Sequence, residues 1–155
     1  MKTYFIAIAL MMLVSQAFAR IGETEQQIEV RYGKSIGTLS SGNELLRKAY
    51  RSTDLNIVVM YIDGVSQSEI FTKQDGSEFS KNEIAILLEA NAAGSKWIED
   101  PTARLVGMQG WKLEAGGRKA GYSESARGLL IQTEVADKVS AERKAEAENE
   151  KLKGF

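Results

Sequence analysis

Carboxylates are the acid–base groups this 155-residue sequence offers, because it contains no histidine and no cysteine. Without His the commonest general base and zinc ligand is gone, and without Cys there are no thiol nucleophiles, thiolate metal sites or disulfides. Three groupings of acids stand out. Glu25 and Glu29 share one face of a predicted helix, Glu99 and Asp100 are adjacent, and Glu124 lies close to Tyr122. A glycosidase-type pair needs its carboxyls held about 5–9.5 Å apart in a cleft, which spacing in the chain cannot establish. Solvated surface acids are the ordinary reading. Serine chemistry is thinly supplied: no Ser-x-x-Lys pattern occurs, and what is left is a Ser–Lys dyad assembled by the fold.

Two glycine motifs invite comparison with phosphate-binding loops. Gly33-Lys34-Ser35 resembles the end of a P-loop, but the required upstream glycine is Ile28 and a helix precedes the motif where a strand should. A helix C-cap followed by a turn explains it better. Gly116-Gly117-Arg118-Lys119-Ala120-Gly121 lacks dinucleotide-fingerprint spacing. It reads as a turn, with an anion-contacting loop as the alternative because backbone N–H groups sit beside two cations. Asp75-Gly76-Ser77 lacks the alternating oxygen ligands of a calcium loop. No catalytic residue, cofactor site or metal site is therefore assigned.

The elements that must position any site follow from periodicity. Met1-Lys2, an unbroken apolar run of 11 residues from Tyr4 to Val14, and Ala17-Phe18-Ala19 have the order of a secretory signal peptide, 1–19, cleaved after Ala19. The run is too short to span a bilayer, and the longest later one is six residues, Ile57 to Ile62. No Cys follows for lipidation, and no Asn-x-Ser/Thr sequon occurs. The expected location is the periplasm or the medium of a bacterium. A formal charge of −1, from 20 basic and 21 acidic residues, argues against nucleic acid or an anionic membrane as the main partner.

Thr24-Glu25-Gln26-Gln27 and Ser80-Lys81-Asn82-Glu83 are capping boxes. They open predicted helices over about 24–32 and 81–93, the second carrying Ile84, Leu87, Leu88 and Asn91 on one face. Leu45–Arg51 reads as a weak strand. Leu55–Ile62 is a strong one, apolar at both parities and so expected at the centre of a sheet. Asp63-Gly64 turns it back into Val65–Lys73. Trp97 should pack under the second helix, and Pro101, the only proline, marks a turn. Six of the 14 glycines fall between Gly107 and Gly128, where short strands are expected around Trp111, over Lys119–Ser123 and over Leu129–Thr133. Val135 and Val139 start a last helix, and 140–155 reads as a charged, solvated helix or tail. The whole is an α+β fold, an antiparallel sheet with two or three helices packed on it, in a single domain over 20–139.

A partial echo runs through the chain. The two capping boxes are offset by 56 residues, and Tyr50 seven residues before Ile57-Val58-Val59 is matched by Tyr122 before Leu129-Leu130-Ile131 at an offset of 72. The two offsets do not share a register. Either common α+β grammar produces a chance match, or two helix-plus-hairpin units lie side by side.

Arg20-Ile21-Gly22-Glu23-Thr24, Arg31-Tyr32-Gly33, a hairpin, a capped helix and then Trp97 resemble small exported bacterial proteins. In element order the chain is similar to the β-lactamase-inhibitor-protein-like fold, shared with a small outer-membrane-assembly lipoprotein whose acylated Cys is absent here. The resemblance implies a protein-binding or envelope-accessory role. The expected function is a non-catalytic interaction protein of the bacterial envelope, its partner another envelope protein or a small ligand. Its surface would lie in the Gly107–Gly128 region, with Trp111, Arg118, Lys119 and Tyr122 as contacts and Trp111 the more exposed tryptophan. The alternative is a small carboxylate- or Ser/Lys-dependent hydrolase without metal.

Overall fold

The computed structural model describes residues 21–39 and 45–153, with the backbone alone at Leu105 and Val106. The expected signal peptide and its cleavage site lie outside the described residues, as do residues 40–44 of the Gly/Ser-rich stretch. Among the described residues no helix is long and apolar enough to cross a membrane.

The chain runs α1 (Glu25–Tyr32), β1 (Gly37–Thr38), β2 (Leu46–Ser52), β3 (Leu55–Ile62), β4 (Val65–Lys73), α2 (Lys81–Glu89), β5 (Trp97–Glu99), a 3-10 turn (Pro101–Val106), β6 (Gln109–Leu113), β7 (Arg118–Ser123), β8 (Gly128–Thr133) and α3 (Glu134–Leu152). The fold is α+β. All eight strands form one antiparallel sheet in the order β1-β2-β3-β4-β8-β7-β6-β5. Each half is a helix followed by a four-strand meander, and the halves meet where β4 pairs with β8. β3 is interior, but the central pair is β4 and β8.

Local chemistry fixes the ends of these elements. Asp63 and Gly64 both have positive φ, 52° and 80°, the backbone a type I′ hairpin turn requires. Both capping boxes form: the Thr24 and Ser80 hydroxyls accept from the third helical N–H, and Gln27 and Glu83 reach back to the cap N–H. The second helix ends at Glu89, short of the expected 93. Asn91, past the last turn, is fully buried and donates its side-chain amide to the Leu87 carbonyl at 3.1 Å, while Ala93 and Gly94 turn away at φ 50° and 79°.

Directly paired residues share a face of the sheet, so the register sorts every side chain. On one face two rows cross the strands. Tyr50, Ile57, Phe71, Leu129 and Tyr122 form the first; Val59, Glu69, Ile131, Ala120 and Trp111 form the second. Ile28 and Tyr32 of α1 and Ile84, Leu87 and Leu88 of α2 close over these rows as one core. Each fully buried aliphatic or aromatic side chain there contributes roughly 1.5–3 kcal/mol. Tyrosine hydroxyls inside the core are paired: those of Tyr50 and Tyr61 lie 2.8 Å apart, and Tyr32 donates to Glu69 at 3.1 Å.

The echo resolves into two parts. Thr24 and Ser80 occupy equivalent places, each capping the helix that opens its half. Tyr50 pairs with Ile57 across β2–β3, and Tyr122 pairs with Leu129 across β7–β8. Both are tyrosines facing an apolar cross-strand partner in the same core row. They nevertheless stand on the second strand of one half and the third of the other, which is why the offsets disagree.

Before α1 the chain is sewn to β4. The Ser66 hydroxyl accepts from the N–H groups of Gly22 and Glu23 at 3.0 and 3.1 Å, and two further backbone bonds of 2.8 Å join the segments. At the other end α3 is docked only by its first turns. Thr133 caps it, Ala136 is fully buried, and from Ser140 to Lys153 every residue is exposed. The expected tail is thus the outer part of one continuous helix.

Candidate functional site

The second face of the sheet carries neither α1 nor α2. Across it runs a row in direct register: Gly37, Ala49, Val58, Ile70, Leu130, Gly121 and Gly110. Seven strands contribute to it and none supplies a polar side chain. Ile70 is 41 % exposed, and Ala49, Val58 and Leu130 are half-buried. The rows on either side are mostly polar or cationic, although the second includes the buried Met60 and runs on past Lys112 to Ile98, 39 % exposed. One reads Arg51, Asn56, Thr72, Gly128, Ser123; the other reads Arg47, Met60, Ser68, Gln132, Lys119, Lys112. The start of α3 lies along the second of these: Asp137 accepts from Lys119 at 3.0 Å and from Gln132 at 3.1 Å.

At the β6 end the row opens into a cleft of about 310 Å³, with Met108, Gly121 and Leu130 on its floor and Ala103, Asp100 and Asp137 on its walls; Trp111 and Lys119 border it. Glycine makes this cleft possible. A Cβ on Gly110 would stand 2.2 Å from the Ala103 Cβ, so only glycine lets the 3-10 turn lie on the sheet. A Cβ on Gly121 would meet Met108 Cε at 2.7 Å. Lys112 and Lys119 face each other directly across β6–β7, a repulsive pairing. Asp137 answers Lys119 and holds its amine above the ordinary lysine range. Asp100 is held below the ordinary carboxylate range, first by the Thr102 hydroxyl and N–H it accepts from, with Lys112 and Lys119 adding to the effect.

The four residues expected as contacts separate. Lys119 is exposed on the helix-free face. Trp111 is half-buried and packs against the core, as Trp97 does. Trp97 donates its indole N–H to the Leu88 carbonyl at 2.7 Å, beneath the end of α2. Tyr122 is 3 % exposed: its register places it on the core face, where it packs edge-on against Phe79 and accepts the Phe79 N–H at 3.2 Å. It is a core residue and no contact. The Arg118 guanidinium is turned inward, donating to the Asn91 carbonyl at 2.7 Å and the Ile21 carbonyl at 3.0 Å. It ties the end of α2 to the segment that precedes α1. Absent from the expected set are Ala49, Val58, Ile70 and Leu130. Their only sequence signal is the apolar parity left over on strands whose other parity fills the core.

The chemical motifs are accounted for by the fold. The backbone N–H of Gly117 does bind an anion, the Glu134 carboxylate of α3, at 3.1 Å. Gly33 is the C-cap of α1, with φ 88°. Read on to Gly37, that stretch also has the Gly-x-Ser-x-Gly spacing of a nucleophile elbow, but it follows a helix and enters a strand. The Ser35 hydroxyl bonds to the Gly37 and Ala49 carbonyls. Of the acids singled out, Glu25 pairs with Lys48, Glu99 with Arg104, and Glu124 accepts from Gln109. Among the described residues no lysine amine is bonded to a serine hydroxyl, and no three acids converge as a metal site.

The geometry defines a one-sheet α+β protein whose first two helices cover one face and leave an apolar row and a cleft on the other, bordered by the start of α3. Comparison with family models, curated proteins and solved structures finds no match to this chain.

Proposed function

We propose that the chain is an exported, non-catalytic binding protein of the bacterial envelope, and that it docks a protein partner on the helix-free face of its sheet. The observation that carries this reading is Ile70. It lies on an interior strand, is 41 % exposed, and is flanked in register by half-open Val58 and Leu130. A solvated sheet face ordinarily alternates to polar residues, and a contiguous apolar stripe rimmed by polar rows is the pattern of an interaction site. The signal-like residues 1–19 and the resemblance in element order to the β-lactamase-inhibitor-protein-like fold point the same way.

The test is site-specific photocrosslinking in the producing cells, with the photoreactive residue at Ile70 or Leu130, and at Gln26 on the exposed side of α1 as control. A discrete adduct from the two sheet positions and none from Gln26 is the expected result. Adducts from Gln26 alone, or from none of the three, would overturn the reading.

A further inference from the structure

The charge on the helix-free face is not that of the whole chain. Overall the protein is almost neutral, at −1. The strand residues whose register places them on this face include Arg47, Arg51, Lys112 and Lys119 and no Asp or Glu. Among the described residues, Asp137 of α3 and Asp100 ahead of the 3-10 turn lie beside this face. Asp137 pairs with Lys119, and Asp100 accepts from Thr102. The cations are also placed with order. Arg47 and Arg51 stand on β2, two residues either side of Ala49 in the apolar row, and Lys112 stands two residues along β6 from Gly110, at the far end of that row. Neighbouring strands are about 4.8 Å apart, so the stretch of the row from β2 to β6 is roughly 24 Å long, with cations at both of its ends.

We infer that the occupant of this face is an acidic amphipathic segment of a protein partner, its aliphatic side chains on Val58, Ile70 and Leu130 and its carboxylates toward Arg51 and Lys112. The inference rests on the proposed docking role of this face and adds the partner's chemistry. Apolar contact supplies the burial, while the cations at the rim set orientation and speed of encounter and make binding salt-dependent.

The probe is a 14-residue peptide with leucine at every third or fourth position and glutamate elsewhere, together with a mirror peptide in which every glutamate is lysine. Each is titrated into the isotope-labelled chain 20–155 and followed by backbone amide shifts. The glutamate peptide should shift Val58, Ile70, Leu130 and Gly121, and should bind about five-fold more weakly to Arg51→Glu or Lys112→Glu, as expected for rim charge pairs. Both side chains are exposed, so these variants keep the fold. Equal binding of the lysine peptide, or shifts confined to α1 and α2, would overturn the inference. So would tighter association with phosphatidylglycerol vesicles than with the peptide, or a dimer in sedimentation that Ile70→Glu dissolves. If the photocrosslink from Ile70 persists while the glutamate peptide fails to bind, the docking face stands and its acidic partner falls. If both fail, both fall.

Discussion

Two glycines on the helix-free face should respond very differently to the same added methyl group. In Gly110→Ala the new carbon would stand 2.2 Å from the Ala103 Cβ and 3.2 Å from the Asp100 carbonyl oxygen. Carbon pairs prefer about 3.5–4 Å, so the 3-10 turn has to lift by more than 1 Å. Overpacking of this kind costs roughly 1–3 kcal/mol. Lifting also strains the 2.8 Å bond from Asp100 N–H to the Gly110 carbonyl, worth about 1 kcal/mol. Against this stands a gain of about 0.4–1 kcal/mol from restricting the unfolded chain. The net expectation is a loss of roughly 2–3 kcal/mol. In Gly121→Ala the clash is with Met108 Cε at 2.7 Å, the free end of a flexible side chain that can rotate away. The loss is under about 1 kcal/mol and the unfolded-state gain nearly cancels it. Equilibrium urea unfolding followed by tryptophan fluorescence reads both, with the denaturant slope held constant as the check that stability alone has changed. If the two variants fall within about 0.5 kcal/mol of each other, the 3-10 turn does not rest on Gly110 and the cleft wall is misplaced.

Arg118→Ala should lose about 2–4 kcal/mol in the same assay, because two carbonyls lose a charged donor, while a surface role would leave stability unchanged and alter only binding. Glu83 is held down to about 2, first by Lys73 and then by the Ser80 N–H and hydroxyl, from an ordinary 4.5. A depressed carboxylate stabilises the fold above its unfolded value and loses that contribution as pH falls, so stability should decline between about pH 4.5 and 2, and Glu83→Gln should flatten that limb in pH-dependent unfolding. Burial raises the Tyr50 and Tyr61 hydroxyls above their ordinary 10. Groups kept neutral in the fold stabilise it below pH 10 and cease to as pH climbs past that value; a spectrophotometric titration should show these two ionising only as the protein unfolds, and early ionisation of either would mean that the core is open.

Local chemistry made much of this fold legible. Asp63-Gly64 between two apolar runs can form little but a tight hairpin, and each capping box marked its helix start to the residue. The end of α2 was obscured because Asn91 continues the helical spacing while its side chain bonds back to Leu87 and ends the helix. β1 and β5, at two and three residues, carry too little pattern to be seen. Tyr122 and Arg118 sit in a glycine-rich stretch where short strands are expected, yet both have the parity of the core face, which only the pairing with β8 reveals. The apolar row is the extreme case. Its members lie on seven strands from Gly37 to Leu130, and no window of the sequence contains it.

The seam between the halves also shapes how the chain comes together. Every ladder but one joins consecutive strands; β4 and β8 alone pair residues as distant as Ser68 and Gln132. Such a ladder is a slow, late step, because a long loop must close before any of its bonds are rewarded. A chain emerging N-terminus first completes α1 to β4 well before Gly128–Thr133 exists. During that interval β4 is an open edge bearing Ile70 and Phe71, ready to pair with another chain. Synthesis stalled between residues 73 and 128 is therefore the moment of greatest aggregation hazard, and the six residues of β8 are what end it.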